Sequence, residues 1–398
     1  MAKLRTYSLS VMAVLAFVYL VYVWDRLAVA IQLVQIRQAF QLSLPSAGLL
    51  ATVFTIGITL GSLPAGIFNA RFGTRAGLVV GTLLFSLCTA WSALSASLTS
   101  MLLSRVFGGV GEAFFSVALY SFMSSHTKTH KGTAAGFPAT LFGIGVFSAP
   151  LVISSFFKIT KVWQGPFEIL ATLGVIGALA IWVLAPADHV EGEPAQKQRF
   201  VFKRILSLLN RTNILLLIVM AADGIGIYSF IGLFMTFLRG QQHFGLAVAS
   251  LVISCFGIGQ LCGGVPMGYL ADRGGRRNLL TVGFILVSIP GAVVFTDASP
   301  LLLSVLAFLF GIGTNSIYTN CLAMAQEGVG VMDIPLVTGM LSTVYFLTAA
   351  FSGWLLVTLK LALGWQMAGV VLYTLPFILL IAAIWWIPHV SKTPAATV

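Results

Sequence analysis

Charged residues are scarce in this sequence. Asp, Glu, Lys and Arg together make up 8% of the 398 residues, whereas 58% are hydrophobic, and the mean hydropathy is +1.00. A soluble protein of this length does not need so apolar a chain, so the composition predicts a polytopic membrane protein. The first apolar stretch, residues 7–24, lacks a small-residue cleavage site and is followed by many similar stretches. We therefore interpret it as a membrane span rather than a signal peptide.

Motifs of catalysis and metal binding are also missing. The sequence has no phosphate-binding loop, no nucleophile beside a candidate base and no large hydrophilic domain. Its cysteines lie in apolar segments without metal-ligand spacing, so we expect them to pack against neighbours. They are Cys88, Cys255, Cys262 and Cys321. We predict that the protein is not an enzyme and uses no cofactor or metal.

Twelve apolar segments have about the 20 residues that a helix needs to cross a bilayer. They lie near residues 7–34, 45–68, 76–97, 99–123, 133–157, 166–186, 212–238, 246–270, 278–296, 299–325, 335–359 and 365–387. The sequence therefore predicts an all-α membrane protein with twelve transmembrane helices.

The distribution of basic residues predicts the orientation. Of the 22 Lys and Arg residues, fifteen fall on the side of the predicted spans that carries the N-terminus, and five fall on the other side. Because Lys and Arg are enriched in cytoplasmic segments, both termini are predicted to be cytoplasmic, in a bacterial inner membrane. The net charge of +11 then reflects topology, and we expect a lipid bilayer and no nucleic acid as partner.

A hydrophilic stretch and a repeat divide the chain into halves. Residues 188–211 form the only long hydrophilic stretch, which predicts a linker between an N-terminal half, 1–187, and a C-terminal half, 212–398. The sequence GIFNARFGTR at residues 66–75 recurs as GYLADRGGRR at residues 268–277. Each copy follows the second predicted span of its half, so the halves are predicted to be repeats.

Both loops resemble the G-x-x-x-D-R-x-G-R-[RK] loop of the major facilitator superfamily. The resemblance implies two six-helix bundles that alternate access to a central site, with the loops acting as gates. In the second copy, Asp272 can lie near a helix N-terminus or pair with an arginine. Ala70 replaces this aspartate in the first copy, where Arg71 and Arg75 could equally be topology signals. The candidate gating residues are Gly66, Arg71, Gly73, Arg75, Gly268, Asp272, Arg273, Gly275, Arg276 and Arg277.

Five ionisable residues lie within predicted spans. They are Asp25, Arg26, Arg105, Glu112 and Asp223. A charge in a bilayer is costly unless it faces protein, water or a partner. Arg105 and Glu112 are seven residues apart, close to two helical turns, so they leave the same helix face about 10 Å apart. They predict a polar cavity near the depth at which transporters bind their substrates.

These charges allow two interpretations. In the structural one, Asp25 pairs with Arg105, or Glu112 with Arg26, and the pairs hold the N-terminal half together. In the functional one, Arg26 and Arg105 bind an anionic substrate, because arginine keeps its charge and offers a planar fork to a carboxylate. Asp25 and Glu112 would then carry protons, and their protonation would uncover the arginines for the substrate.

The C-terminal half supplies further candidates. Asp223 has no evident cationic partner in its half, so it is either a second proton site or a hydrogen-bonded helix contact. Tyr228, Asn315, Tyr318 and Tyr345 also lie at membrane depth. They are candidate substrate contacts, and the alternative is that they join helices by hydrogen bonds.

Two motifs suggest a branch of the superfamily. WDRLAVAI at residues 24–31 and R-x-x-x-G-x-x-E, formed by Arg105, Gly109 and Glu112, resemble motifs of the anion:cation symporters. That resemblance implies that Arg26 and Arg105 contact a substrate carboxylate and that Asp25 and Glu112 carry protons. GVGEA at residues 109–113 is also similar to the spinster branch, which moves lysolipids and sphingoid phosphates.

We therefore predict a monomeric, proton-coupled secondary transporter of a small organic anion, such as a carboxylate or sugar acid. A proton-driven exporter of drugs, amphiphiles or lysolipids is the first alternative. A non-transporting sensor or assembly partner that retains the fold is the second.

Overall fold

The long apolar runs form long helices in the structure, a computed structural model that describes residues 9–42, 44–125, 127, 130–186 and 201–386. All regular elements of the described residues are helical, which confirms the all-α prediction. Up to residue 186 they are α1 (Leu9–Ile31), α2 (Leu33–Ala39), α3 (Leu44–Phe72), α4 (Thr74–Ala93), α5 (Leu98–Ser125), α6 (Lys131–Thr160) and α7 (Gly165–Leu184). From residue 201 the α-helices are α8 (Val201–Leu208), α9 (Arg211–Gly240), α10 (Leu246–Gly263), α11 (Val265–Gly274), α12 (Arg276–Val293), α13 (Pro300–Glu327), α14 (Ile334–Gly369) and α15 (Leu375–Trp386), with a 3-10 turn at Val331–Asp333 and a π-helical turn at Val370–Thr374.

Ten stretches of the described residues are long and apolar enough to cross a membrane. One of them, Val331–Trp386, is 56 residues long and is interrupted at Gly364, whose φ of 80° is not helical. The predicted spans 335–359 and 365–387 fall on the two sides of this break. The predicted span 278–296 overlaps α12, an 18-residue helix outside the ten stretches. The protein is thus a multi-pass membrane protein, and the number of twelve spans stays a prediction.

Helices pack in the same pattern in the two predicted halves. In the first, α5 packs against α3 and α4, and α1 packs against α6 and α7. In the second, α13 packs against α10 and α12, and α14 packs against α9. One buried apolar cluster, which includes Phe115 and Phe167, lies within the first set, and a second, which includes Phe230 and Phe310, lies mainly in the second set and extends to Phe54 of α3. The division at the linker 188–211 stays a prediction, because residues 188–200 lie outside the described part of the chain.

The two sets of helices meet closely at the end of the molecule that carries residues 66–75 and 268–277, which we call the loop end. A Cβ atom on Gly66 of α3 would lie 2.6 Å from the carbonyl oxygen of Pro335 in α14. A Cβ atom on Gly132 of α6 would lie 2.5 Å from the carbonyl oxygen of Gly268 in α11. Glycine therefore allows backbone-to-backbone contact at both places and closes the loop end.

Candidate functional site

A cavity lies between the two sets of helices. It is lined by α1, α5 and α6 from the first set and by α9, α10, α13 and α14 from the second. Arg26 is the charged residue among the described residues that line it. The other polar lining residues without a ring are Ser116, Gln260, Thr314 and Asn315. The cavity thus has the location and polarity of a transporter's substrate site.

Arg26 joins the two sets of helices through the cavity wall. Its Nε and Nη2 donate to Oε2 of Glu112 on α5 at 3.0 and 2.9 Å. Its Nη1 donates to the hydroxyl oxygen of Tyr228 on α9 at 3.2 Å, and Nη2 also donates to the hydroxyl of Tyr22. The guanidinium group therefore connects an acidic residue of one half with a hydroxyl of the other.

Four aromatic rings surround the Arg26 guanidinium. Its Cζ lies 4.7 Å from the ring centroid of Tyr22 and 5.5 Å from that of Phe346. The centroids of Phe54 and Phe142 lie at 5.9 and 6.0 Å. Such rings attract a cation and exclude water from it, so they hold the charge in place.

The ionised form of Glu112 is stabilised by Arg26. The residue is fully buried, and Arg26 is its ion-pair partner through Oε2. Its other oxygen, Oε1, has no hydrogen-bond partner among the described residues. A buried carboxylate that loses its cation carries a large desolvation penalty. A ligand that binds Arg26 in place of Glu112 therefore leaves the Glu112 carboxylate without a cation and favours its protonated, neutral form.

A second ion pair joins Arg105 of α5 to Asp25 of α1. Nη1 of Arg105 lies 3.3 Å from both carboxylate oxygens of Asp25, and Nη2 donates to the Asp25 carbonyl at 3.4 Å. The hydroxyl of Thr89 donates to Oδ1 of Asp25 at 2.8 Å. The Phe54 ring covers Arg105, with its centroid 4.3 Å from Cζ. Both predicted ion pairs thus form, and neither member of this one lines the cavity.

Asp223 of α9 is buried apart from both pairs. Its relative exposure is 0%, and neither carboxylate oxygen has a hydrogen-bond partner among the described residues. It does not line the cavity, although the next residue, Gly224, packs against the backbone of Tyr345. Burial without a partner disfavours the charged form of a carboxyl group.

The other predicted contacts, Tyr228, Asn315, Tyr318 and Tyr345, all line the cavity. The Asn315 amide nitrogen donates to the Gln260 carbonyl at 2.6 Å and to the Ala139 carbonyl of α6 at 3.1 Å. Asn315 therefore ties the two sets of helices together.

The sequence interpretation missed several lining residues in both halves. Tyr19 and Tyr22 precede the predicted Arg26 by seven and four residues on α1, so helical spacing places them on the same face as Arg26. Tyr120 follows Glu112 by eight residues on α5, close to two turns. These spacings are a signal in the sequence, whereas nothing local marks Phe142, Gln260, Thr314 or Phe346.

Asp272 at the loop end holds the N-terminus of a helix from the other half. It accepts hydrogen bonds at 2.9 Å from the backbone N–H groups of Gly132 and Thr133, in the first turn of α6. The Thr133 hydroxyl donates to it at 2.7 Å. Arg276 donates to Asp272 at 2.7 Å and to Glu327 at 2.5 Å. A carboxylate is favoured at a helix N-terminus, so this network stabilises the closed loop end.

The first copy of the loop has an apolar contact at the same point. Ala70 packs against a cluster that includes Leu336 of α14 and Leu208 of α8. Nearby, Arg204 of α8 forms an ion pair with Asp333, which precedes α14, at 2.6 Å. The helix from the predicted linker thus contributes a contact where the first loop lacks its aspartate.

Both loops turn at a glycine with positive φ, 88° at Gly73 and 89° at Gly275, which side-chain-bearing residues rarely adopt. The remaining candidate arginines contact their own half. Arg71 lies over Phe72, Arg273 over Tyr269 and Arg277 over Trp385, and Arg75 donates to the carbonyl of Trp182. Arg276, in contrast, belongs to the network between the halves.

Long helices around a polar cavity with a closed end are the architecture of a membrane transporter. A family model, Major Facilitator Superfamily, matches residues 15–249 and 216–397. The chain therefore belongs to the major facilitator superfamily, whose members are transporters and in general not enzymes. The resemblance to the superfamily is confirmed, whereas the branch within it is not shown.

Known proteins similar to this chain carry different cargoes. Human solute carrier family 2, facilitated glucose transporter member 12 is 23% identical over 63% of this chain and 46% of its own length. The probable L-galactonate transporter of Escherichia coli K12 is 26% identical over 48% of this chain and 42% of its own. The multi-drug resistance efflux pump PmrA of Streptococcus pneumoniae is 26% identical over 71% of both chains. This chain thus spans less than half of the first two relatives.

The structure of the proton:xylose symporter XylE superposes on this chain with a TM-score of 0.79, 15% identity and 95% coverage of both chains. At that identity the similarity supports the fold alone.

Proposed function

We propose that this protein is a proton-coupled secondary transporter of a small organic anion, working by alternating access between two six-helix halves. The observation that carries the proposal is the Arg26–Glu112 pair. Arg26 supplies the charge of the cavity, and Glu112 has no other ion-pair partner among the described residues. In this proposal twelve helices cross a bacterial inner membrane, with both termini in the cytoplasm.

Exchange of partners at Arg26 couples substrate to protons. A substrate carboxylate can replace Glu112, because a guanidinium group binds any carboxylate through two parallel hydrogen bonds. Glu112 would then be a buried anion without a cation, at a cost of several kcal/mol. A proton on Glu112 removes this cost, so anion and proton bind together and travel in the same direction.

Two contacts link this event to movement of the halves. The hydrogen bond from Arg26 to Tyr228 crosses the cavity, so a ligand that binds Arg26 also alters the contact between α1 and α9. At the loop end, Asp272 must release the N-terminus of α6 before the halves can separate there. We assign gating to this network, and we assign the contact of α8 near Asp333 to the same closed state.

The remaining buried acids receive separate roles. We assign the Asp25–Arg105 pair to holding α1 and α5 together, because it lies off the cavity and Asp25 has the additional donor Thr89. We assign Asp223 to a second proton site, since it is buried without a described partner and lies beside the α14 contact at Gly224.

The proposal is tested with the purified protein in liposomes under an imposed pH gradient. The probes are labelled benzoate and galactonate, with benzamide and galactose as neutral counterparts of similar shape. We expect accumulation of at least one acid above the level in protein-free liposomes, into which undissociated benzoic acid diffuses, and loss of that excess in Arg26→Gln. Accumulation of the neutral compounds alone, or acid transport unchanged in Arg26→Gln, would contradict the proposal.

An exporter of amphiphilic drugs is the second candidate. It is favoured by the similarity to an efflux pump over 71% of both chains and by the many rings in the cavity. Such a protein would exchange a cationic cargo for the proton on Glu112 and would not need Arg26 to bind that cargo. Proton-driven efflux of a lipophilic cation that survives Arg26→Gln would favour this candidate.

A further inference from the structure

Aromatic rings dominate the cavity. Of its fifteen lining residues, eight carry a ring, and six of these are tyrosines. The tyrosines are Tyr19, Tyr22, Tyr120, Tyr228, Tyr318 and Tyr345, out of nine in the whole chain. Both sets of helices contribute, so a ligand between the halves contacts rings on each side.

The polar side chains without a ring are already engaged within the protein. Gln260 donates from its amide to the Thr314 hydroxyl at 2.8 Å, and the Thr314 hydroxyl donates to the Phe310 carbonyl at 3.0 Å. Asn315 donates to two carbonyl groups, and Ser116 donates to a carbonyl of its own helix. A ligand with many hydroxyl groups needs a partner for each of them when it is buried. This cavity offers few donors for such a ligand beyond Arg26 and the tyrosines.

The tyrosine rings form an edge-to-face series that reaches Arg26. The centroid of Tyr318 lies 5.6 Å from Tyr120 and 4.9 Å from Tyr345, at interplanar angles of 62° and 65°. Tyr345 lies 5.9 Å from Tyr228 at 77°. These are the distances and angles at which aromatic rings attract one another, so one more flat ring can join the series.

Tyr228 can also donate a hydrogen bond to the acid group of a ligand that carries such a ring. Its hydroxyl oxygen accepts a hydrogen bond from Arg26, so its own hydrogen stays available for donation. A carboxylate at Arg26 can therefore accept from the guanidinium and from a phenol, while the ring it carries lies toward Tyr345 and Tyr318.

We infer that the substrate is a monocyclic aromatic carboxylate, with its acid group on Arg26 and its ring among Tyr228, Tyr318 and Tyr345. This inference rests on the proposed transport of an organic anion and specifies its chemical class. Transfer of the ring from water into an aromatic site, rather than hydroxyl recognition, provides the selectivity between acids of equal charge.

Binding to the purified full-length chain tests the inference. The probes are benzoate, cyclohexanecarboxylate, which keeps the charge and approximate size but lacks the aromatic ring, and galactonate, which has hydroxyl groups instead. We expect benzoate to bind about tenfold tighter than galactonate, and several-fold tighter than cyclohexanecarboxylate, by calorimetry. Tyr345→Leu should weaken benzoate about tenfold and cyclohexanecarboxylate much less.

Two matched variants keep the test decisive. Tyr345→Phe keeps the ring and should keep the benzoate affinity, even if Tyr345→Leu does not fold. Tyr269→Leu removes a tyrosine of α11 outside the cavity and should leave all affinities unchanged. Galactonate binding as tight as benzoate, with both lost in Arg26→Gln, overturns the inference and leaves the proposed function intact. If no acid binds, or if Arg26→Gln leaves the affinity for the acids unchanged, the inference and the proposed function are both overturned.

Discussion

Two ion pairs of the same chemistry lie side by side in the N-terminal half, and they differ in what surrounds them. Arg26 of the first pair lines the cavity, and 11% of its side chain is exposed, whereas Glu112 is buried behind it. The Arg105–Asp25 pair is covered on all sides, with exposures of 2% and 1%. The Phe54 ring lies next to both guanidinium groups, so one aromatic residue neighbours both pairs.

The partners of the two carboxylates differ as well. Both carboxylate oxygens of Asp25 accept a hydrogen bond from Arg105, and one of them also accepts a hydrogen bond from the Thr89 hydroxyl. One carboxylate oxygen of Glu112 accepts hydrogen bonds from Arg26, and the other has no hydrogen-bond partner among the described residues. The Nε of Arg105 also lacks a hydrogen-bond partner among the described residues, so the two pairs differ in their carboxylates rather than in their arginines. A carboxylate with one unsatisfied oxygen next to a cavity residue can exchange its partner at lower cost than a carboxylate with both oxygens engaged. The comparison assigns stability to one pair and transport to the other.

The largest effect is expected when the covered pair is broken. Arg105→Gln leaves the Asp25 carboxylate buried without a cation, which costs about 3–5 kcal/mol. The purified variant should therefore unfold at a clearly lower temperature in detergent. Asp25→Asn added to Arg105→Gln should restore much of the loss, because it removes the unpaired charge. A single variant as stable as the wild type would contradict the assignment.

Breaking the cavity pair should abolish ligand binding. Removal of the cation from a buried carboxylate site in Arg26→Gln is expected to weaken binding of a carboxylate by at least about 100-fold. The matched control is the double variant Asp25→Asn/Arg105→Gln, which neutralises the covered pair and should bind within a few-fold of wild type. A folded double variant that does not bind would give Arg105 a direct role in the site.

The acid of the cavity pair should control coupling rather than affinity. Glu112→Gln removes the proton carrier but keeps the Arg26 fork, so the variant should bind substrate and exchange it across the membrane. It should not accumulate substrate under a pH gradient in liposomes. Accumulation at the wild-type level would show that Glu112 is not the coupling residue.

The smallest effects are expected from the hydroxyl groups beside each pair. Thr89→Val removes one donor to Asp25 and should lower stability by about 1 kcal/mol without changing affinity. Tyr228→Phe removes the acceptor of Arg26 across the cavity and should weaken carboxylate binding by about tenfold or less, with little change in stability. The reverse pattern, measured by thermal unfolding and calorimetry, would show that the roles of the pairs are exchanged.

Much of this organisation could be predicted from the sequence, because it is local. Apolar length predicted the helices, and charges at membrane depth predicted the two ion pairs. The repeated loop identified Asp272 as a residue for a helix N-terminus or an arginine, and it contacts both α6 and Arg276. Each of these properties depends on a few neighbouring residues or on the cost of a buried charge.

The exposure of each pair to the cavity could not be predicted, because it depends on how distant helices pack. Arg26 and Arg105 carry the same charge at membrane depth, and Phe54 of α3 covers one of them more closely. The ring-lined wall likewise combines residues of seven helices. No pattern within one helix reveals that Tyr120 and Tyr318 meet across the halves.

Proton uptake during ligand binding tests the central claim most directly. A weakly buffered solution of the purified protein is mixed with a carboxylate that it binds, and a pH indicator counts the protons taken up. We expect about one proton per carboxylate bound in the wild type and in Asp25→Asn/Arg105→Gln, and none in Glu112→Gln, because only Glu112 loses its cation to the ligand. Binding without proton uptake in the wild type, or equal uptake in Glu112→Gln, would contradict the exchange of partners at Arg26.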